Sequence, residues 1–319
     1  MKYFLQFCRI AVGCLFIFSG VIKLNDPVGT QIKMEEYFEV FGTHFMIPLA
    51  LYVAVFMCVA EVALGFALLF FYRMRYTATA LLALIVFFTF LTFYSAFFNK
   101  VTDCGCFGDF IKLKPWTSFW KDIVLTILIL PLFIYRNKLT AGFDNKKGDI
   151  IVGVGTLASL WFAIYCIMHL SVWDFRAYKV GANIPALMQP SCTPKYSYVM
   201  IKDGKEYTFD AYPTDTTYQF KDMILTNPEC MPKITDYSLW NDEGDYTKLS
   251  FEGKKLFIVI LNTAFGDKYG LNIPYYFADG VVIKTMIRSN PGIMYLENGT
   301  VKGKWHHNDV PKIEEVLKL

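Results

Sequence analysis

The sequence predicts an α-helical membrane bundle followed by an α+β domain outside the bilayer. Three observations predict it. Mean hydropathy is +0.35, and 55% of the 319 residues are hydrophobic and 18% aromatic, above the apolar share of an ordinary soluble domain. Five apolar runs are each long enough to cross a hydrocarbon core, which takes about 20 residues of helix. From about residue 171 onward no run reaches that length, which leaves a stretch of ordinary domain size outside the membrane.

The runs fall at about 4–24, 46–71, 76–97, 116–135 and 150–170. The first is followed by SGVIKLNDP rather than a small-residue cleavage site, so it reads as a retained signal anchor. Lys2, Arg73, Arg75, Arg136, Lys138, Lys146 and Lys147 share one side, whereas the opposite connections mix lysines with Asp26, Glu35, Glu36, Asp103 and Asp109. This modest bias predicts a cytoplasmic N-terminus. The loop after the third run and the C-terminal domain then lie outside, which for a bacterial inner membrane is the periplasm, where disulfides persist. The expected organisation is a four-helix domain over 1–135, a linker and fifth helix over 136–170, and the external domain over 171–319. The net charge of +3 is small and its basic residues are scattered, which argues against a nucleic-acid surface. Membrane lipid is the expected surrounding instead.

In the first run, Arg9, Gly13, Phe16, Gly20 and Lys23 form one helical stripe. Its small residues permit close helix approach, while its two cations are costly in lipid unless paired or at a boundary. Lys23, near the outer end, is expected to snorkel to the interface. Arg9 lies deeper and wants a partner. Glu61 in the second run, with Gly65 one turn on, supplies a candidate: counted inward from the helix ends, the two differ in depth by about 6 Å. An Arg9–Glu61 pair is therefore expected, either functional or fixing helix register. Between these runs, VGTQIKMEEYFEVFG carries apolar residues among charges and reads as a short amphipathic surface helix or as a solvated connector; a helix there would be placed to roof the later cysteine loop.

That loop is DCGCFGD, residues 103–109. A disulfide across a single residue is hard to close without strain, and strain makes such a bond a donor of oxidising equivalents. Gly105 and Gly108 ease the backbone because glycine tolerates φ > 0. Cys104 and Cys106 read as a redox pair, as a structural clamp or, with further ligands, as part of a metal site, and metal ranks last because two thiolates need more ligands than the neighbourhood supplies. Of the remaining cysteines, Cys8, Cys14, Cys58 and Cys166 lie in the apolar runs, where a free thiol behaves as a small hydrophobe. Cys58 is the exception if it comes near the loop. Cys192 and Cys230 belong to the external domain and can pair as a structural disulfide.

The pattern R-x3-G-x2-F-x2-SG-x2-KL-x-DP, then E-x3-G, then DCGCFGD, then W-x2-F-x-KD resembles the DoxX-like membrane proteins. Within them it is similar to the MauE family of methylamine-utilisation membrane proteins, in the Bacteroidetes form with an added soluble domain. The resemblance covers about residues 1–135, and CGCFG is its most specific part. It implies a four-helix bundle, similar in outline to vitamin K epoxide reductase, and a part in forming disulfides in an exported partner. It places the thiol role on Cys104 and Cys106, with Arg9, Lys23, Glu61 and Asp103 as supporting polar positions. Nothing in the residues points to methylamine.

In the external domain, YSYVMIKDGKEYTFDAY alternates apolar and polar residues around KDGKE, a hairpin signal. The stretch from PKITDYSLW to LFIVILN resembles the opening of thioredoxin-like domains, and the end of the chain fits the same fold, with Pro291 as its cis-proline. That family places C-x-x-C after the first buried strand, whereas TAFGDKYGLNIPYY has no cysteine. The resemblance therefore implies a truncated thioredoxin-like domain without its own redox pair. In WHHND the adjacent histidines are expected to point apart in a strand.

The leading functional expectation is a membrane thiol-disulfide oxidoreductase or its accessory, which exchanges a disulfide with an exported client and is reoxidised through the membrane, with a quinone as the candidate acceptor. The rival class is a non-enzymatic scaffold whose cysteines staple a loop. Transport is weaker, since no inverted repeat is visible.

Overall fold

The computed structural model describes residues 2–98, 100–101, 105–139, 145–248, 251, 253, 255–260, 276–316 and 318. The chain divides into two compact units, Met1–Phe175 and Arg176–Leu319.

The first unit holds α1 (Lys2–Leu24), α2 (Pro27–Val40), a 3-10 segment (His44–Leu49), α3 (Ala50–Leu69), α4 (Met74–Phe98), α5 (Pro115–Ile134) and α6 (Asn145–Met168). Among the described residues five helical stretches are long and apolar enough to cross a bilayer: Tyr3–Leu24, His44–Leu69, Met74–Phe98, Pro115–Ile134 and Lys146–Met168. The protein is a multi-pass membrane protein. Buried Val12 and Phe16 of α1, Leu68 of α3, Leu81 and Ile85 of α4, and Leu125 and Ile129 of α5 form one core. Phe87, Phe90, Trp120, Ile127 and Trp161 remain exposed, as befits side chains that meet lipid rather than water.

Helices α1 and α3 approach closely because glycines face each other. A Cβ on Gly13 would lie 3.3 Å from the Gly65 carbonyl oxygen, and one on Gly65 would lie 2.9 Å from that of Gly13. A Cβ on Gly20 would meet the Cys58 carbonyl oxygen at 2.9 Å. These contacts set an antiparallel register in which the start of α1 lies against the end of α3. The stripe expected from the sequence thus faces a neighbouring helix.

The KLNDP letters end α1 and start α2. Asp26 caps α2 by accepting a hydrogen bond from the Gly29 backbone at 2.9 Å, with Pro27 opening the helix. Asn25 is buried and binds the Trp173 peptide twice: its amide donates to the carbonyl at 2.7 Å and its oxygen accepts from the backbone N–H at 3.0 Å. The chain leaving α6 is thereby tied to the end of α1.

The second unit is an α+β region with small antiparallel sheets. Strands β1 (Tyr196–Lys202) and β2 (Lys205–Phe209) form the hairpin expected around KDGKE, and β3 (Gln219–Leu225) completes a sheet of order β2-β1-β3. The turn residues Asp203 and Gly204 both have positive φ, 52° and 75°, as a two-residue hairpin loop requires. Strands β4 (Trp240–Asn241) and β5 (Gly244–Asp245) make a short ribbon, and β6 (Lys255–Ile260), β7 (Gly292–Glu297) and β8 (Thr300–His306) form a sheet of order β6-β7-β8. The Asn290–Pro291 peptide preceding β7 is cis. This arrangement is consistent with a thioredoxin-like domain. Most of TAFGDKYGLNIPYY lies outside the described residues. Cys192 and Cys230 are joined by a disulfide.

Candidate functional site

The first unit encloses a cavity of about 60 Å³ near the end of α1 that carries Lys23. Its wall brings together Ser19 and Lys23 from α1, Lys33 and Tyr37 from α2, Cys58 and Glu61 from α3, Thr92 from α4, Lys121 from α5, and Gly105 with Cys106 from the cysteine turn. The expected surface helix is therefore α2, and it walls the cavity beside that turn. Gly105 has φ of 65°, and a Cβ there would lie 3.1 Å from Lys33 Cγ. The positive φ favours glycine at that position, and Lys33 would have to give way slightly to admit a Cβ.

Glu61 is 1% exposed and Lys23 is 8% exposed. The Lys23 ammonium donates to Glu61 Oε1 in a buried ion pair. Ser19 Oγ stands 3.1 Å from Glu61 Oε2 and 3.1 Å from the Cys106 carbonyl oxygen; with one proton, it donates to one of them at a time. The carboxylate, the hydroxyl and the cysteine turn thus form one connected chain.

Two expectations are corrected here. Arg9 does not pair with Glu61: its guanidinium donates to the Leu69 carbonyl and stacks 3.9 Å from the centre of the Phe71 ring. The α1–α3 register explains this, because Leu69 lies eight residues beyond Glu61, about 12 Å along the axis. At that level the open carbonyls of a helix end accept the cation. Lys23, in turn, does not snorkel to the interface, since it is buried against Glu61.

A second polar cluster adjoins the cavity. Asp122 is fully buried, accepts a hydrogen bond from Thr92 Oγ1 at 3.0 Å and lies 2.7 Å from Lys121 Nζ. The Lys121 ammonium also sits 5.3 Å from the Phe107 ring centre. Tyr37, buried in α2, bonds to Ser95 Oγ at 2.9 Å, and Ser95 donates its own proton to the Leu91 carbonyl. Tyr37 is therefore the donor between them.

Of the residues expected at the site, Cys106, Lys23 and Glu61 come together, and Arg9 lies apart at the other end of α1. Asp103 and Cys104 lie outside the described residues. Cys8 and Cys166 are buried, Cys14 is exposed, and Cys58 is on the cavity wall. Sequence reasoning did not single out Ser19, Tyr37, Thr92, Lys121 or Asp122. Ser19 and the Lys121–Asp122 dipeptide were visible as the SG and KD of the motif, but Tyr37 and Thr92 carry no local signal.

Among the described residues no group of three His, Cys, Asp or Glu side chains could hold a metal ion. In the second unit the WHHND histidines do not point apart in a strand. His306 ends β8, His307 begins a 3-10 turn, and their ring centres are 4.0 Å apart.

Comparison with known proteins agrees with the membrane half of this picture. Residues 1–135 match the sequence profile of the family described as methylamine utilisation protein MauE. Protein TlpB from Flavobacterium psychrophilum is 27% identical over 157 residues, 48% of this chain. The matched part spans 41% of that relative's length. No solved structure matches the chain. With its apolar helices, glycine-packed α1 and α3 and cysteine turn, the region over residues 1–135 is similar to the MauE family of membrane proteins.

Proposed function

We propose that the protein is a thiol-disulfide redox protein of the bacterial inner membrane, with its N-terminus cytoplasmic and its C-terminal domain periplasmic, and that Cys104 and Cys106 support disulfide formation in an exported client. The observation that carries this reading is the cavity shared by Cys106, the Lys23–Glu61 pair and Lys121. Positive charge beside a sulfur stabilises the thiolate that leaves during exchange, and three lysines, Lys23, Lys33 and Lys121, line the cavity with Cys106.

In the proposed cycle a client thiolate attacks one sulfur of the Cys104–Cys106 disulfide. A mixed disulfide forms, and the other sulfur of the pair leaves as a thiolate and is protonated. A second client thiolate then displaces the protein's sulfur. The client gains a disulfide, and two electrons and two protons pass to the pair. Return to the disulfide takes a two-electron oxidant of the quinone or disulfide class. The external domain, lacking a C-x-x-C, serves as the docking element for the client.

Rapid acid quenching and alkylation of cells expressing the protein tests this reading. The expected result is a mixture of reduced and oxidised Cys104–Cys106, with a mixed disulfide accumulating when Cys106 or Cys104 is replaced singly by Ser. A uniformly oxidised pair and no trapped protein in either variant rejects it.

A further inference from the structure

The MauE-type thiol chemistry proposed above uses the cysteine turn and leaves Cys58 without a role. Cys58 is nevertheless unlike Cys8, Cys14 and Cys166. It is buried in α3 three residues before Glu61, and residues three apart on a helix share a face. That face is the one turned to the cavity, whose wall contains both Cys58 and Cys106. Two further observations bring the turn and this part of α3 together. Ser19 Oγ lies 3.1 Å from both Glu61 Oε2 and the Cys106 carbonyl oxygen, and Lys23, held by Glu61, lines the same cavity as Cys58 and Cys106.

From this juxtaposition we infer that Cys58 is a third redox thiol, which takes Cys106 from another sulfur and holds it as a Cys58–Cys106 disulfide within the bundle. The inference rests on the proposed reading of Cys106 as an exchanging thiol. In the step, the Cys58 sulfur gives up its proton and attacks the Cys106 sulfur of a disulfide. The Cys58–Cys106 bond forms and the bond from Cys106 to its earlier partner breaks. The departing sulfur keeps the electron pair and takes up a proton. No electron enters or leaves the set, so the step needs no oxidant. Its effect is to move the oxidised state from the turn to the membrane interior.

The test uses the full-length protein in membrane vesicles and dithiodipyridine, an aromatic disulfide that converts a reactive thiol into a mixed disulfide. In the Cys104→Ser variant Cys58 is native, so its burial and packing are untouched. The expected result is that the pyridyl adduct on Cys106 is transient, a second thiopyridone is released, and non-reducing peptide mapping finds Cys58 linked to Cys106. In the Cys58→Ser, Cys104→Ser double variant the adduct on Cys106 should persist. If the adduct persists equally in the single variant and no linked peptide forms, the Cys58 assignment is overturned while the reactivity of Cys106 stands. If Cys106 takes no adduct in any variant, the proposed function and this inference fall together.

Discussion

Lys23 and Glu61 form an ion pair inside the helical bundle, with Ser19 joining the carboxylate to the cysteine turn. Both charges are withdrawn from water and from lipid headgroups, so each depends on the other. Breaking a buried pair from one side costs about 3–5 kcal/mol, because it strands the remaining charge. Glu61→Gln should therefore lower the midpoint of thermal unfolding in detergent markedly, whereas the Lys23→Met, Glu61→Leu double variant should recover most of the loss. A Glu61→Gln protein as stable as the native one would contradict the pair's structural weight.

The α1–α3 contact makes a steric prediction. A Cβ on Gly20 would meet Val62 Cγ2 at 2.6 Å and the Cys58 carbonyl oxygen at 2.9 Å. Overpacking of this kind costs roughly 1–3 kcal/mol, so Gly20→Ala should destabilise the bundle. Gly153 in α6 has nothing within 4 Å of such a Cβ, and Gly153→Ala should be neutral in the same unfolding assay. Equal effects at the two positions would argue against close α1–α3 packing.

How much of this was legible beforehand depended on how local the signal was. The membrane spans were readable because each is one uninterrupted apolar run, and the KDGKE hairpin because Asp203 and Gly204 adopt the positive φ that its two-residue turn needs. The Arg9 and Lys23 positions were readable as costly charges, but their partners were not. Counting depth from helix ends assumes that two helices meet the membrane boundary alike, and the Gly13–Gly65 and Gly20–Cys58 contacts set a different offset.

The disulfide of the second unit joins Cys192 to Cys230 across 38 residues. In the chain-entropy account, closing a loop of that length stabilises by about 4 kcal/mol. Mild reduction, or Cys192→Ser, should lower the unfolding midpoint of the external domain as followed by tryptophan fluorescence. No change on confirmed reduction would mean that native strain or residual unfolded structure offsets the cross-link.

Alkaline pH should probe the same unit at Tyr178. Burial, reinforced by the Asp236 carboxylate, pushes its phenol above the ordinary value. A group whose folded value is raised contributes stability fully below its unfolded value, about pH 10 for tyrosine, and loses it as pH climbs beyond that point. The external domain should therefore weaken above about pH 10, and Tyr178→Phe should move the alkaline unfolding midpoint to higher pH. An unchanged midpoint would assign the transition to another group.

By itself the sequence determined the membrane spans, the β1–β2 hairpin and the missing C-x-x-C of the external domain. These are decided by runs and turns of contiguous residues, where backbone hydrogen bonding and solvent transfer act locally. Tertiary structure alone decided that Glu61 takes Lys23 rather than Arg9, that Asn25 binds the Trp173 peptide, and that Cys58 shares a cavity with Cys106. Each of these joins residues far apart in the chain, and the rotation and offset of packed helices, which no short stretch encodes, select the partner.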